Sequence, residues 1–98
     1  MNIQAMMRQA QALQKDMLKA KDEIDKAEFV GESSLVKVTV KGTKEVVKVE
    51  INAAEGLDSS DIEMLEDMIL IAINDANKKV DEMTEKKMGK FGNIPGLF

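Results

Sequence analysis

The 98-residue sequence contains no cysteine, histidine, tryptophan or tyrosine, one proline and three phenylalanines. Without cysteine there is no disulfide and no thiolate metal site, a composition that suits a reducing compartment. Without histidine the usual general base near neutral pH and the commonest zinc ligand are missing. With both gone, no imidazole-activated nucleophile is available. The glycines at 31, 42, 56, 89, 92 and 96 form neither a phosphate-cradling Walker loop nor a dinucleotide fingerprint. Asp58, Asp61, Glu63, Glu66 and Asp67 have the oxygen donors of a magnesium site, but acids crowd the first turns of helices for electrostatic reasons, and that reading is preferred. Ser33-Ser34 and Ser59-Ser60 suit a turn and a helix start. The expectation is a protein with no catalytic residues, no metal, no cofactor and no small-molecule substrate.

Long apolar runs are also missing. The longest, residues 68–73, has six residues, far short of the roughly 18 needed to span a bilayer. The first residues lack the apolar core, about 7–15 residues long, of a secretory signal. A soluble cytoplasmic protein without a membrane partner is expected. Eight methionines stand against three aromatic residues, so the core must be aliphatic and thioether-rich. Flexible Met side chains fill irregular gaps, as contacts between helices of different subunits require. The length suits a single domain, 1–98.

What is present is periodicity. Ile3, Met6, Ala10, Leu13, Met17, Ala20, Ile24 and Ala27 recur at alternating steps of three and four, a heptad seam that predicts a helix over 3–28. Some 25 residues at 1.5 Å each extend about 37 Å, whereas a compact 100-residue domain has a radius of gyration near 13 Å. The chain is too small to cover such a seam, and a second copy is the simplest cover. The alanines at 10, 20 and 27 are small for a long two-stranded coil, however, and suit close packing against a second helix of the same chain. Charge divides this helix lengthwise. Arg8, Lys15, Lys19 and Lys21 face only Asp16 in residues 1–21, among glutamines at 4, 9, 11 and 14, while Asp22, Glu23, Asp25 and Glu28 crowd the far end.

The period then falls to two, predicting strands at about 29–33, 35–41 and 45–52. Gly31 reads as a bend or bulge, and Gly42-Thr43 as the turn of a hairpin. Val36, Val38 and Val40, with Val47, Val49 and Ile51, make one apolar face, and lysines line the other. A second helix is expected over 60–88, opened by a capping box at Ser60-Asp61-Ile62-Glu63 and stopped at Gly89. Its segment 68–73 is apolar nearly all round, which calls for burial on all sides. That points to a dimer interface through Met68, Ile69, Ile71 and Ile73, with Val38 and Val49 of the sheet. Residues 89–98, with the proline and three of the glycines, read as an extended, mobile tail. The fold class is α+β, in the order α-β-β-β-α.

Residues 55–77 hold seven acids and no base, while Lys78, Lys79, Lys86, Lys87 and Lys90 follow. Bases therefore gather toward both outer ends of a chain with net charge −4. Arg8, Lys15 and Lys19 form one stripe opposite the apolar seam. It reads either as an ordinary solvated face or as a set of phosphate contacts.

The segments Phe29-Val-Gly-Glu, Leu35-Val-Lys-Val-Thr-Val-Lys-Gly42, Glu63-Met-Leu-Glu-Asp67, Asn74-Asp-Ala76, and Lys86-Lys-Met-Gly89 through Pro95-Gly-Leu-Phe98 resemble the YbaB/EbfC family of bacterial nucleoid-associated proteins. The opening Met6-Met-Arg-Gln-Ala-Gln-Ala-Leu-Gln14 is similar to that family's first helix. The order of these motifs, more than any one of them, carries the resemblance. The family's glycine-rich stretch after Gly-Glu is reduced here to Ser33-Ser34, and Asn52-Ala53 stands where Asp-Pro is common. The resemblance implies a homodimer with projecting, tweezer-like helices that binds duplex DNA in the nucleoid without enzymatic activity. It implies a link to recombination and repair proteins. It also assigns DNA contact to the terminal helices, here Arg8, Lys15 and Lys19 on the first and Lys78, Lys79, Lys86 and Lys87 on the last. The rival expectation is a protein-interaction module, a prefoldin-like holdase or adaptor that works through its helical arms.

Overall fold

The computed structural model describes residues 2–91. Helix α1 spans Ile3–Lys26, and Asn2 caps it by accepting from the amides of Gln4 and Ala5 at 3.0 and 3.3 Å. Strands β1 (Glu28–Ser33), β2 (Val36–Lys41) and β3 (Val46–Ile51) follow, then a 3-10 turn at Ser59–Asp61, helix α2 (Ile62–Met88) and a second 3-10 turn at Gly89–Phe91. This is the expected α-β-β-β-α order. The molecule is elongated, 71 × 18 × 14 Å with a radius of gyration of 19.7 Å, well above the roughly 13 Å of a compact domain this size.

The strands form an antiparallel sheet in the order β1-β2-β3. Helix α2 lies across β1 and β2. Val36, Val38 and Val40 of the central strand are buried against Ala72, Ala76 and Val80 of α2, with Phe29, Leu65, Met68, Ile69 and Ile73 packed around them. Val38, expected at a dimer interface, is fully buried within its own chain because α2 sits directly on it.

Gly31 is not a bend. It pairs in regular register with Val38, and its lack of a side chain lets the helix approach, since a Cβ there would overlap the carbonyl O of Ala72 and the amide N of Ala76. Gly42 plays the same part beneath α1, where a Cβ would overlap the carbonyl of Ile24. Its amide instead donates to the carbonyl of Ala27 at 3.1 Å. The left-handed conformations of the two hairpin turns fall to Ser34 (φ 50°) and Lys44 (φ 72°).

Three further expectations are corrected. The capping box sits two residues earlier than expected: Asp58 accepts from the Ser60 amide at 2.9 Å, and Asp61 accepts from the Asp58 amide at 3.0 Å. A 3-10 turn therefore precedes α2. The segment 68–73 is not buried on all sides, for Leu70 and Ile71 are 59% and 55% exposed. Val47, Val49 and Ile51 are exposed too. Val49 and Ile51 lie opposite Val38 and Val36 and so share the apolar face, but α2 stops short of the β3 edge. Gly89–Phe91 is not extended: it forms a 3-10 turn that buries Phe91 against Ile24 and Met88. The remaining residues of the expected tail, 92–98, lie outside those described.

Candidate nucleic-acid interface

Helix α1 is anchored only at its root. Met17, Ala20 and Ile24 meet Met83, Met88 and Phe91, and beside them the Lys87 ammonium pairs with the Glu23 carboxylate at 3.2 Å. Ahead of that cluster, every residue from 6 to 16 is exposed. The fourteen residues from Ile3 to Asp16 therefore form an arm that rises about 21 Å beyond the body.

Arg8, Lys15 and Lys19 lie on one face of this arm, spaced seven and four residues apart, and span about 16 Å along the axis. All three are exposed, and none forms an ion pair among the described residues. Lys21 and Lys26, nearer the root, are matched by Asp25 at 3.4 Å and Asp22 at 2.9 Å. The acidic root is therefore largely neutralised from within, and the arm keeps unmatched positive charge.

The four lysines expected on α2 do not form one patch. Lys79 donates to the carbonyl of Val30 at 2.6 Å and pairs with Asp75 at 3.5 Å, tying α2 to β1. Lys87 ties α2 to α1. Lys78 and Lys86 are exposed and make no ion pair among the described residues. Lys90 is a cation that sequence reasoning left off the site. It shares a shallow groove with Asp16, Lys19, Ala20 and Glu23, and its ammonium lies 5.0 Å from the centre of the Phe91 ring. The available signal was the hydrophobic Phe91 directly behind it, which pins this turn to the methionine-rich root.

The lysine-bearing face of the sheet offers no comparable field. Glu28 lies opposite Lys41, and Lys37 lies between Glu32 and Glu50 on its two neighbouring strands. Such cross-strand pairs compensate one another in place. Among the described residues there is also no cluster of three or more acids or other donors arranged to hold a metal ion. Unmatched cations on a projecting rod, not a pocket with titratable groups, are what this fold displays.

Comparison with known proteins agrees with that display. A nucleoid-associated protein of Ligilactobacillus salivarius is 43% identical over 99 residues, covering 99% of this chain and 95% of its own. One from Streptococcus pneumoniae is 47% identical over 98 residues, covering 97% and 98%. An uncharacterized protein of Helicobacter pylori of known crystal structure superposes with a TM-score of 0.73 at 18% identity, over 93% of this chain and 97% of that one, a likeness of fold. The model of one family matches residues 1–94, and by that match the chain belongs to the YbaB/EbfC DNA-binding family.

Proposed function

We propose that the chain binds duplex DNA as a homodimer, chiefly through phosphate contacts made by its α1 arms, and performs no chemistry on it. The observation that carries this reading is the Arg8–Lys15–Lys19 stripe, exposed and unpaired on an arm that nothing else in the described chain surrounds. Over the roughly 16 Å that these residues span, a duplex presents about ten phosphate charges, so each cation has a partner within reach. Exposed glutamines at 4, 9, 11 and 14 add hydrogen-bond donors for backbone oxygens. Lys90, and Lys78 and Lys86 on α2, extend the basic surface. A second copy supplies a second arm, and two arms bracket a duplex. The dimer is supported by the apolar surface left open beside α2, on β3 and at Leu70 and Ile71. With DNA as the partner, the nucleoid in the cytoplasm is the site of action, and recombination and repair proteins working on the same DNA are the further partners that the resemblance names.

One observation favours a second reading. The opposite face of the same arm exposes Ile3, Met6 and Leu13 at 70%, 51% and 40%, an apolar stripe that suits an interaction module or holdase. Salt separates the two. Binding to a labelled 30-base-pair duplex, measured by anisotropy at 50 and 200 mM salt, is expected to weaken steeply, since each neutralised phosphate adds about 0.9 to the slope of log affinity against log salt. Affinity that does not change with salt would overturn the phosphate reading, and salt-insensitive capture of an unfolded client would favour the rival.

A further inference from the structure

The two edges of the sheet are not equivalent. On β1 the outward-facing carbonyl of Val30 accepts from Lys79 Nζ at 2.6 Å, and the outward-facing amide of Glu32 donates to Asp75 Oδ2 at 3.2 Å. The Asp75–Lys79 pair of α2 thus closes that edge to a further strand. On β3 the amide of Asn52 donates inward to Leu35 at 2.8 Å, so by alternation the amides and carbonyls of Ile51, Val49 and Val47 point outward. No hydrogen bond among the described residues closes them.

We propose that β3 is the edge through which two copies assemble, pairing antiparallel with its own counterpart in the register that sets Val49 against the partner's Val49. The inference rests on the homodimer reading above and names its surface. In this register Val47 meets the partner's Ile51 and Lys48 meets the partner's Glu50, each twice because the pairing is two-fold symmetric. Every apolar residue finds an apolar one, and every charge finds its opposite. An edge lysine ordinarily discourages strand pairing; here Glu50, two residues further on, makes the edge complementary to itself. Within the chain a row of alternating charge already runs Glu32, Lys37, Glu50 across the three strands. The partner's Lys48 continues it. The outward groups of Val47, Val49 and Ile51 form paired hydrogen bonds at each of their three positions. The apolar side chains of β3, left 41–45% exposed by α2, then gain a neighbour along the whole strand.

Charge reversal tests the register. Lys48→Glu sets two Glu–Glu pairs across the symmetric edge, and Glu50→Lys sets two Lys–Lys pairs. Both residues are exposed, so neither change touches the core. Measured by sedimentation at low salt, each variant alone is expected to dimerise at least about tenfold more weakly than the wild-type chain. An equimolar mixture of the two restores all the opposite-charge pairs, and its heterodimer is expected to recover affinity. That recovery also separates pairing between chains from the Lys48–Glu50 ion pair within one chain, at 3.2 Å, which both variants lose in the mixture as well. Single variants that dimerise as tightly as wild type, or a mixture no tighter than either alone, overturn the proposed edge. A wild-type chain that sediments as a monomer overturns the homodimer reading itself.

Discussion

Replacing Arg8, Lys15 and Lys19 together by alanine is the perturbation to which the reading of the arm is most exposed. A dimer with two arms loses six cations. If each neutralises one phosphate, the slope of log affinity against log salt becomes shallower by about 5. Between 50 and 200 mM salt, six such contacts alone account for about a thousandfold loss of affinity. The wild-type chain should therefore weaken by at least that factor across this range, and the triple variant by far less. All three side chains are exposed and unpaired, so the substitutions are expected to leave stability within about 0.5 kcal/mol. A melt followed by circular dichroism checks this. Anisotropy titrations of both proteins at four or more salt concentrations supply the two slopes. A variant whose slope falls by less than about 1, with its fold intact, refutes the assignment of DNA contact to the arm and leaves the lysines of α2 as the alternative.

The remaining predictions concern what holds the arm and the body in place. Gly31→Ala sets a Cβ into the backbone of α2 and only 2.9 Å from the Cβ of Ala76, so the helix itself must shift; overpacking of this kind costs about 1–3 kcal/mol or more, read as a lower urea midpoint, and an unchanged midpoint would show that α2 does not rest on β1. Phe91→Ala empties the centre of the root cluster and is expected to cost about 3–5 kcal/mol in the same assay, whereas a detached tail would give almost none. Ser60, through its hydroxyl and amide, holds the Asp58 carboxyl below its usual value of 3.8. A carboxyl lowered in the folded state stabilises above its unfolded value and ceases to do so as pH falls through the folded one. The start of α2 should therefore lose helical signal below about pH 4, and Asp58→Asn should flatten that dependence; an identical acid profile in the variant would deny the cap its role.

The parts of the fold legible in the sequence were those that depend on spacing. Alternation in residues 36–40 marks the central strand because that strand is buried on its apolar face, and steps of three and four mark both helices for the same reason. The glycines were misread because two different needs leave the same residue. At 31 and 42 glycine serves the approach of a helix from elsewhere in the chain, and no local pattern announces such a neighbour. Their turns are made by Ser34 and Lys44, which carry no turn signature of that strength. Burial of β3 was over-read because alternation reveals which side chains share a face, not whether a helix 27 residues long lies over the middle of the sheet or its edge. The candidate site shows the same division. Arg8, Lys15 and Lys19 were found by counting along one helix. That Lys79 and Lys87 are spent on β1 and α1 depends on partners 49 and 64 residues away.

Net charge was the weakest of the sequence arguments, and the shape of the molecule explains why. A chain carrying −4 is an unpromising ligand for a polyanion if its charges act as one. They do not. Helix α2 meets α1 through its last turns, around Met83 and Met88, so its acidic start lies at the end of the molecule away from the arm. With α2 about 40 Å long and the arm about 21 Å beyond the junction, the acids of residues 55–67 and the basic stripe lie toward opposite ends of a 71 Å axis. The Debye length at physiological ionic strength is about 8 Å. Several such lengths separate the two groups within one chain, and a phosphate at the arm senses Arg8, Lys15 and Lys19 with little contribution from the acids of α2. Cross-strand pairing neutralises the sheet between them. An elongated fold thus lets an acidic chain present a locally basic surface, and the excess acid at the other end adds solubility without opposing DNA at the arm.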